Sequence, residues 1–248
     1  MNRTLESKCR TYQKTADYHL DADKPIIVHI DGRSFSKMVK NKFKKPFDER
    51  FINMMNETAK YLCQNVQGVQ IGYVQSDEIS LIIRKNRPES DIFFSGRLCK
   101  IQSILASMAT AKFMSLSDGD SLYNFDCKAW NVDNLNDAIT WLLYRNIDCV
   151  RNSKQMAAQT YFSHKDLSAK TTDEQIELLK NKFSIDWYEY TEGQKYGRII
   201  IPQIVKMLKV ERGKVIEFER RKWAIIDGMD LKQSDNRAKL KDMIMTND

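Results

Sequence analysis

The chain has 248 residues, 42% of them hydrophobic, enough at this length for one large globular domain, or a core with an appendage, that needs no disulfides. Nine Gly and four Pro exclude collagen-like and linker-dominated chains, and 40 Lys+Arg against 33 Asp+Glu leave +7, which suits a polyanionic partner. No apolar run approaches the roughly 18 residues of a membrane helix, and the polar first twelve residues lack a signal-peptide stretch, so a soluble, cytoplasmic protein is expected.

In chain order, residues 25–30 (PIIVHI) form a short apolar run stopped by Asp31-Gly32 and read as a buried strand ending in a turn. Residues 33–50 follow with seven Lys/Arg against two acids, contributing +5 of the +7. From Asp48, a plausible N-cap, Phe51, Met54, Met55, Thr58, Ala59 and Leu62 recur at helical spacing until Gly68. Residues 69–75 and 79–84 are β-rich and flank Ser76-Asp77-Glu78, which reads as a bend between paired strands. Residues 94–113 read as a second amphipathic helix and 122–132 as another strand. This β-α-β-β-α-β order predicts an α+β, ferredoxin-like core, an antiparallel sheet with two helices on one face. Residues 134–162 read as a long helix, and 172–181 as a shorter one with a capping box from Thr172 to Gln175. Residues 199–210 and 214–218 alternate like a hairpin around Glu211-Arg212-Gly213. The last forty-odd residues carry no readable motif. The expected organisation is a catalytic core over 1–132 and a helical and hairpin extension over 133–248 packed on it, not an independent domain.

Five widely spaced cysteines without a C-x-x-C pair argue against a disulfide framework or zinc site, and three histidines supply no His-x-x-x-His pair. Any catalytic metal must then be held by oxygen, which points to magnesium. The informative feature is Asp31, after the first strand, with Asp77, in the bend. Neighbouring first and third strands would let the two carboxylates converge at one edge of the sheet. Two carboxylates beside a basic segment are what two-metal phosphoryl transfer requires. Either aspartate alone also reads as an ordinary turn or cap residue. Lys44, Lys45 and Arg50 form either a solvated face or a triphosphate contact. Arg97 and Lys100, three apart on one helix face, either meet one phosphate or solubilise the helix. His29 reads as a hydrogen-bonded core histidine, and Trp130, Trp141, Tyr144 and Tyr161 as core residues.

His29-Ile30-Asp31-Gly32-Arg33-Ser34-Phe35, Lys45-Pro46-Phe47-Asp48-Glu49-Arg50 and Gln75-Ser76-Asp77-Glu78-Ile79-Ser80 resemble the tRNA-His guanylyltransferase family of 3′–5′ nucleotidyltransferases. The resemblance continues through Arg97-x-x-Lys100, Phe125-Asp126 and Trp141 to Asp148, then Lys195-Tyr196-Gly197. It implies a polymerase-like palm, with Asp31 and Asp77 binding two magnesium ions and the Gly32 carbonyl adding a ligand. Backbone groups of Arg33, Ser34 and Phe35, with Lys45, Asp48 and Ser76, would surround a triphosphate. Glu78 would support the catalytic metal site. Arg97 and Lys100, with Arg151, Asn152 and Lys195, would handle an activating nucleotide or tRNA phosphates. ATP, GTP or other nucleoside triphosphates as substrates, tRNA as partner and a homotetramer are further implications.

Two departures from the family pattern bear on specificity. Phe47 stands where the family often has Asn, and Val150 where dedicated guanylyltransferases have His. With Arg151-Asn152-Ser153, Val150 resembles the branch that repairs tRNA 5′ ends, so template-dependent repair of truncated tRNA is the expected function. The alternatives are addition of a single G to tRNA-His, a non-catalytic RNA-binding protein on the same scaffold, and a nucleotide cyclase.

Overall fold

The computed structural model describes residues 3–35, 37, 42–119, 121–211 and 214–245. In chain order these form α1 (Arg3–Lys14), β1 (Ile26–Gly32), α2 (Glu49–Asn65), β2 (Val69–Gln75), β3 (Glu78–Ile83), α3 (Leu98–Leu116) and β4 (Phe125–Asn131). There follow α4 (Leu135–Gln159), α5 (His164–Leu167), α6 (Thr172–Phe183), α7 (Glu192–Tyr196), β5 (Arg198–Glu211), β6 (Lys214–Asp227) and α8 (Ser234–Met245). One antiparallel sheet has the strand order β4-β1-β3-β2-β5-β6. Its first four strands are in the ferredoxin-like order, and β5–β6 extends them beyond β2.

β1 is apolar without alternation because both faces of the sheet are covered. Ile26, Val28 and Ile30 pack with Met55, Ala59 and Leu62 of α2 and Ile101, Leu105 and Phe113 of α3. Ile27, Ile71 and Ile82 share a second core with Ala138, Ile139 and Leu142 of α4 and Leu240 and Ile244 of α8. The two-helix expectation therefore holds for one face only: α4 and α8 cover the other, so the C-terminal half shares the sheet's core. A third cluster joins Ala157 at the end of α4 to Ile176, Leu179 and Trp187.

Local signals explain most boundaries. Asp48 caps α2 by accepting from the Arg50 N–H, and Asn134 caps α4 through the N–H groups of Asn136 and Asp137. The capping box on α6 is Thr171 with Glu174, one residue earlier than the spacing predicts. The second core helix begins at Leu98 rather than 94, because Phe94 and Ser95 adopt left-handed φ of 50° and 48° in a 3₁₀ turn. Arg97 thus precedes α3 and shares no helix face with Lys100. β6 runs to Asp227, well past 218, and the hairpin's Arg212-Gly213 lie outside the described residues. Neither α1 nor α8 was legible from spacing.

Candidate active site

Asp31 closes β1 directly opposite Glu78 at the start of β3 and opposite Asp126 of β4. Asp77 sits one residue before Glu78, and its carbonyl accepts the Gly32 N–H at 3.1 Å. The acids therefore meet at the end of two central strands, not at an edge of the sheet. Gly32 is needed for close approach: a Cβ there would stand 2.9 Å from the Asp77 Cβ and 2.5 Å from the Phe35 ring. Ser76 turns the chain at φ 44°.

Burial raises the Asp31 carboxyl above its ordinary range, and Glu78 raises it further. Burial likewise lifts Asp77 to about 6, against a hydrogen bond from Ser76 and with added repulsion from Asp31 and Glu78. Among the described residues neither aspartate has an ion-pair partner; Arg145, the nearby cation, is committed elsewhere. Its Nε donates to Glu78 Oε2 at 3.0 Å and its Nη2 to Asp148 Oδ2 at 2.8 Å, while Arg151 also pairs with Asp148. Glu78 further accepts from the Gln75 amide at 2.8 Å. His29 is pushed down to about 4 by burial and then by Arg145, so it is neutral at pH 7 and contacts Ser80 and Trp141. That fits a core histidine and not a base.

Two desolvated carboxylates with hard oxygen donors and unbalanced charge suit a divalent cation such as magnesium. Among the described residues no three or more His, Cys, Asp or Glu side chains are gathered so as to hold a metal ion. Two carboxylates alone would leave the other positions of such a cation to backbone carbonyls, water and phosphate oxygens.

A cavity of about 270 Å3 adjoins the Ser76-Asp77 turn, with Lys45, Phe47, Asp48, Ser76, Asn152 and Arg198 among its walls. Of the expected nucleotide contacts, Lys45 is exposed and Ser76 opens to the cavity, whereas the Asp48 carboxylate is spoken for. Although burial opposes its charge, the Arg50 side chain and the N–H groups of Lys44 and Arg50 hold Asp48 down at about 2. Arg33 and Ser34 are exposed just beyond β1. The Phe35 ring is buried among Phe51, Phe113, Tyr123 and Phe125, so only its backbone can serve a ligand.

Three expected phosphate contacts are placed elsewhere. Arg97 pairs with Asp17 at 2.9 Å, and Lys100 stands over the Phe94 ring. Both lie where α3 begins, at the opposite end of the sheet from Asp31, because α3 must return from the far end of β3 to the start of β4. Lys195 is buried, with its ammonium 2.7 Å from Glu192 and 3.1 Å from the Tyr188 carbonyl, so it braces α7 and has no free reach to RNA. Tyr144 and Tyr161 are exposed rather than core. Arg145 and Arg198 escaped the sequence reading. Arg145 meets Glu78 across 67 positions, and Arg198 is buried on Asn56 Oδ1 across 142, so no local spacing marks either.

Residues 6–133 match the family model described as Thg1, tRNAHis guanylyltransferase. The chain belongs to this family. Its acidic pair, Asp31 and Asp77, falls inside the matched segment, and the protein is a nucleotidyltransferase. An uncharacterised mimivirus protein is 27% identical over 83% of this chain and 80% of its own length. A probable tRNA(His) guanylyltransferase of Dictyostelium discoideum is 27% identical over 76% of this chain and 79% of its own. A bacterial tRNA(His) guanylyltransferase (Thg1)-like protein solved with ATP is 29% identical, with a TM-score of 0.85 over 97% of this chain and 98% of that one. A structure of such a protein with GTP has a TM-score of 0.77 and 28% identity over 97% and 99%. Among the described residues no helix is long and apolar enough to cross a membrane.

Proposed function

We propose that this enzyme adds nucleotides in the 3′–5′ direction to the 5′ end of truncated tRNA, choosing each by pairing with the opposite strand. The observation that carries the reading is the Asp31–Asp77 pair beside a cavity walled by Lys45, Ser76 and Asn152. The 3′ hydroxyl of an incoming nucleoside triphosphate attacks the 5′ phosphorus of the RNA. A new P–O bond forms and pyrophosphate leaves a triphosphorylated end, or a nucleoside monophosphate leaves an end activated by ATP. Asp31, Asp77 and the Gly32 carbonyl would hold two magnesium ions, which when bound acidify the hydroxyl and neutralise the leaving group. Lys45 balances triphosphate charge, while the Ser76 hydroxyl and the Asn152 amide orient the nucleotide at the turn. Arg145 keeps the Glu78 carboxylate drawn toward α4 and clear of the incoming phosphates.

Support for repair over a single G addition comes from Val150. Its side chain packs into the apolar cluster around Trp187, and such a side chain offers a tRNA neither a hydrogen bond nor a charge. Watson–Crick pairing supplies the choice of base without a side chain that reads it. Nucleotide complexes of the bacterial relatives support ATP and GTP as substrates. Homotetrameric assembly in the cytoplasm is part of the same reading. The test uses a tRNA lacking its first nucleotide, with the opposing base varied through all four identities. Incorporation is expected to follow the complement each time. Addition of G whatever the opposing base, and only to tRNA-His, would replace this reading with the dedicated guanylyltransferase.

A further inference from the structure

At the end of the sheet away from Asp31 and Asp77, a cleft of about 730 Å3 opens between the C-terminal turn of α2 and strand β6. Lys60 and Gln64 of α2, Asn86, and Arg220, Arg221 and Lys222 of β6 supply its polar walls, and no acid lines it. Side chains alternate along the strand, so Arg221 shares the α2-facing side with Trp223, while Arg220 and Lys222 project from the other side of the ribbon. Directly across the ladder Arg220, Arg221 and Lys222 face Val205, Ile204 and Gln203, none of them acidic. Among the described residues none of the three forms an ion pair, whereas Lys206 and Lys209 nearby are each matched with a glutamate. Arg221 lies over the Trp223 ring at 5.5 Å, which holds a guanidinium on the cleft wall without using up its charge. All three side chains are exposed.

The cleft has a fixed relation to the candidate active site. α2 begins at the nucleotide-sized cavity, where Asp48, Phe51 and Ile52 are wall residues, and ends at the basic cleft. From Ile52 on the cavity wall to Gln64 on the cleft wall the helix rises about 18 Å at 1.5 Å per residue. A structured RNA whose 5′ end occupies the acidic pair is long enough to reach both.

We propose that the α2–β6 cleft docks the phosphate backbone of the RNA substrate at a distance from its reacting end. The inference rests on the tRNA reading above. Lys60 of α2 and Arg221 of β6, one from each wall, act as a sequence-independent anchor, contacting the polyanion through charge. The anchor aligns the RNA body while pairing at the 5′ end decides which nucleotide is added. Acidic protein segments would also suit a basic cleft; RNA is favoured because the same chain carries a phosphoryl-transfer centre at the other end of α2.

The experiment titrates full-length protein with labelled tRNA across a salt series, with no turnover required, and separately with ATP or GTP. The variant Lys60→Gln/Arg221→Gln removes one cation from each wall of the cleft. It is expected to weaken tRNA binding about tenfold at about 0.1 M salt and to flatten the log–log salt slope by about 2, leaving nucleotide affinity unchanged. Gln64→Arg, which adds a cation to the α2 wall, is expected to tighten binding and steepen the slope, so a poorly folded first variant does not decide the matter. Unchanged affinity and slope in both variants would overturn the proposal. So would a changed oligomeric mass with tRNA binding intact, which would make the cleft an interface between copies. Lost binding of an acidic polypeptide with tRNA binding intact would overturn it as well. If the wild type binds tRNA through these residues yet adds no nucleotide to any RNA, the anchor stands and the proposed activity falls.

Discussion

Asp77 occupies a turn where burial and two neighbouring carboxylates oppose its ionisation, an opposition that a cation bound there would relieve. On the proposed reading, replacing Asp31 or Asp77 by Ala removes a charged metal ligand, and a loss of this kind raises the barrier by about 3 kcal/mol or more. Each variant is expected to stay folded and to lose nucleotide addition at saturating magnesium; near-normal turnover of either would remove the metal assignment. The raised Asp77 carboxyl also has a signature in stability. In the native state it titrates near about 6 against an ordinary 3.8, so between these values the folded protein binds more protons than the unfolded chain. Its contribution to stability therefore falls as pH rises from about 4 to about 6 and stays low above that. Asp77→Asn abolishes this penalty along with the ligand. In EDTA the variant's Tm is expected to exceed the wild type's by a margin that is small near pH 4 and grows to a plateau above pH 6. A margin independent of pH would show that the acid is not held in its neutral form.

Helix α4 reaches the site through Arg145, which ties the β3 end of the acidic turn to the second helical layer. Removing one member of a buried ionic cluster leaves the others uncompensated. Arg145→Met strands Glu78, while Asp148 keeps Arg151, and is expected to cost about 3 kcal/mol of stability. Glu78→Gln added to that variant is expected to recover part of the loss, and a denaturation cycle over the four proteins reads the coupling. Additive effects would mean that Glu78 and Arg145 do not depend on each other. The same layer explains why Val150 sits where it does. α4 is amphipathic toward the sheet in its first half and toward α6 and Trp187 in its second, so position 150 faces a small apolar cluster.

At the scale of the molecule, the β5–β6 ribbon extends beyond the core that the sheet and its helices form. β5 and β6 are 14 residues each, about 46 Å when extended, yet only Arg198, Ile199 and Ile200 pair with β2. Beyond them the ribbon exposes Ile204, Leu208, Val210 and Val215. A two-stranded ribbon is marginal by itself in water, and exposed apolar strands invite association. A second copy of the chain is the cover that the homotetramer reading provides. Leu208→Lys/Val210→Lys is expected to lower the mass measured by light scattering while the circular dichroism spectrum is kept. A wild type already of single-chain mass would remove the tetramer from the reading.

The ferredoxin-like strand order was legible because its signals are local: the apolar run closed by Asp31-Gly32, the Asp48 cap, and the bend at Ser76-Asp77 between two β-rich pieces. The pairing of Asp31 with Asp77 followed from that topology, since β1 and β3 must be neighbours. Contacts made across long separations were not legible. Nothing near Arg145 or Arg198 in the chain announces Glu78 or Asn56, and burial alone converts Lys195 from an expected phosphate ligand into a brace on Glu192. The position of Arg97 and Lys100 was not legible for a related reason. Residue spacing gives a helix face but not the end of the sheet from which the helix departs, and a left-handed turn at Phe94 and Ser95 took Arg97 off the helix. The chain's own pattern determined which strands form and which carboxylates meet. Tertiary packing decided which charges remain available to a ligand, because a cation's partners depend on which surfaces close over it.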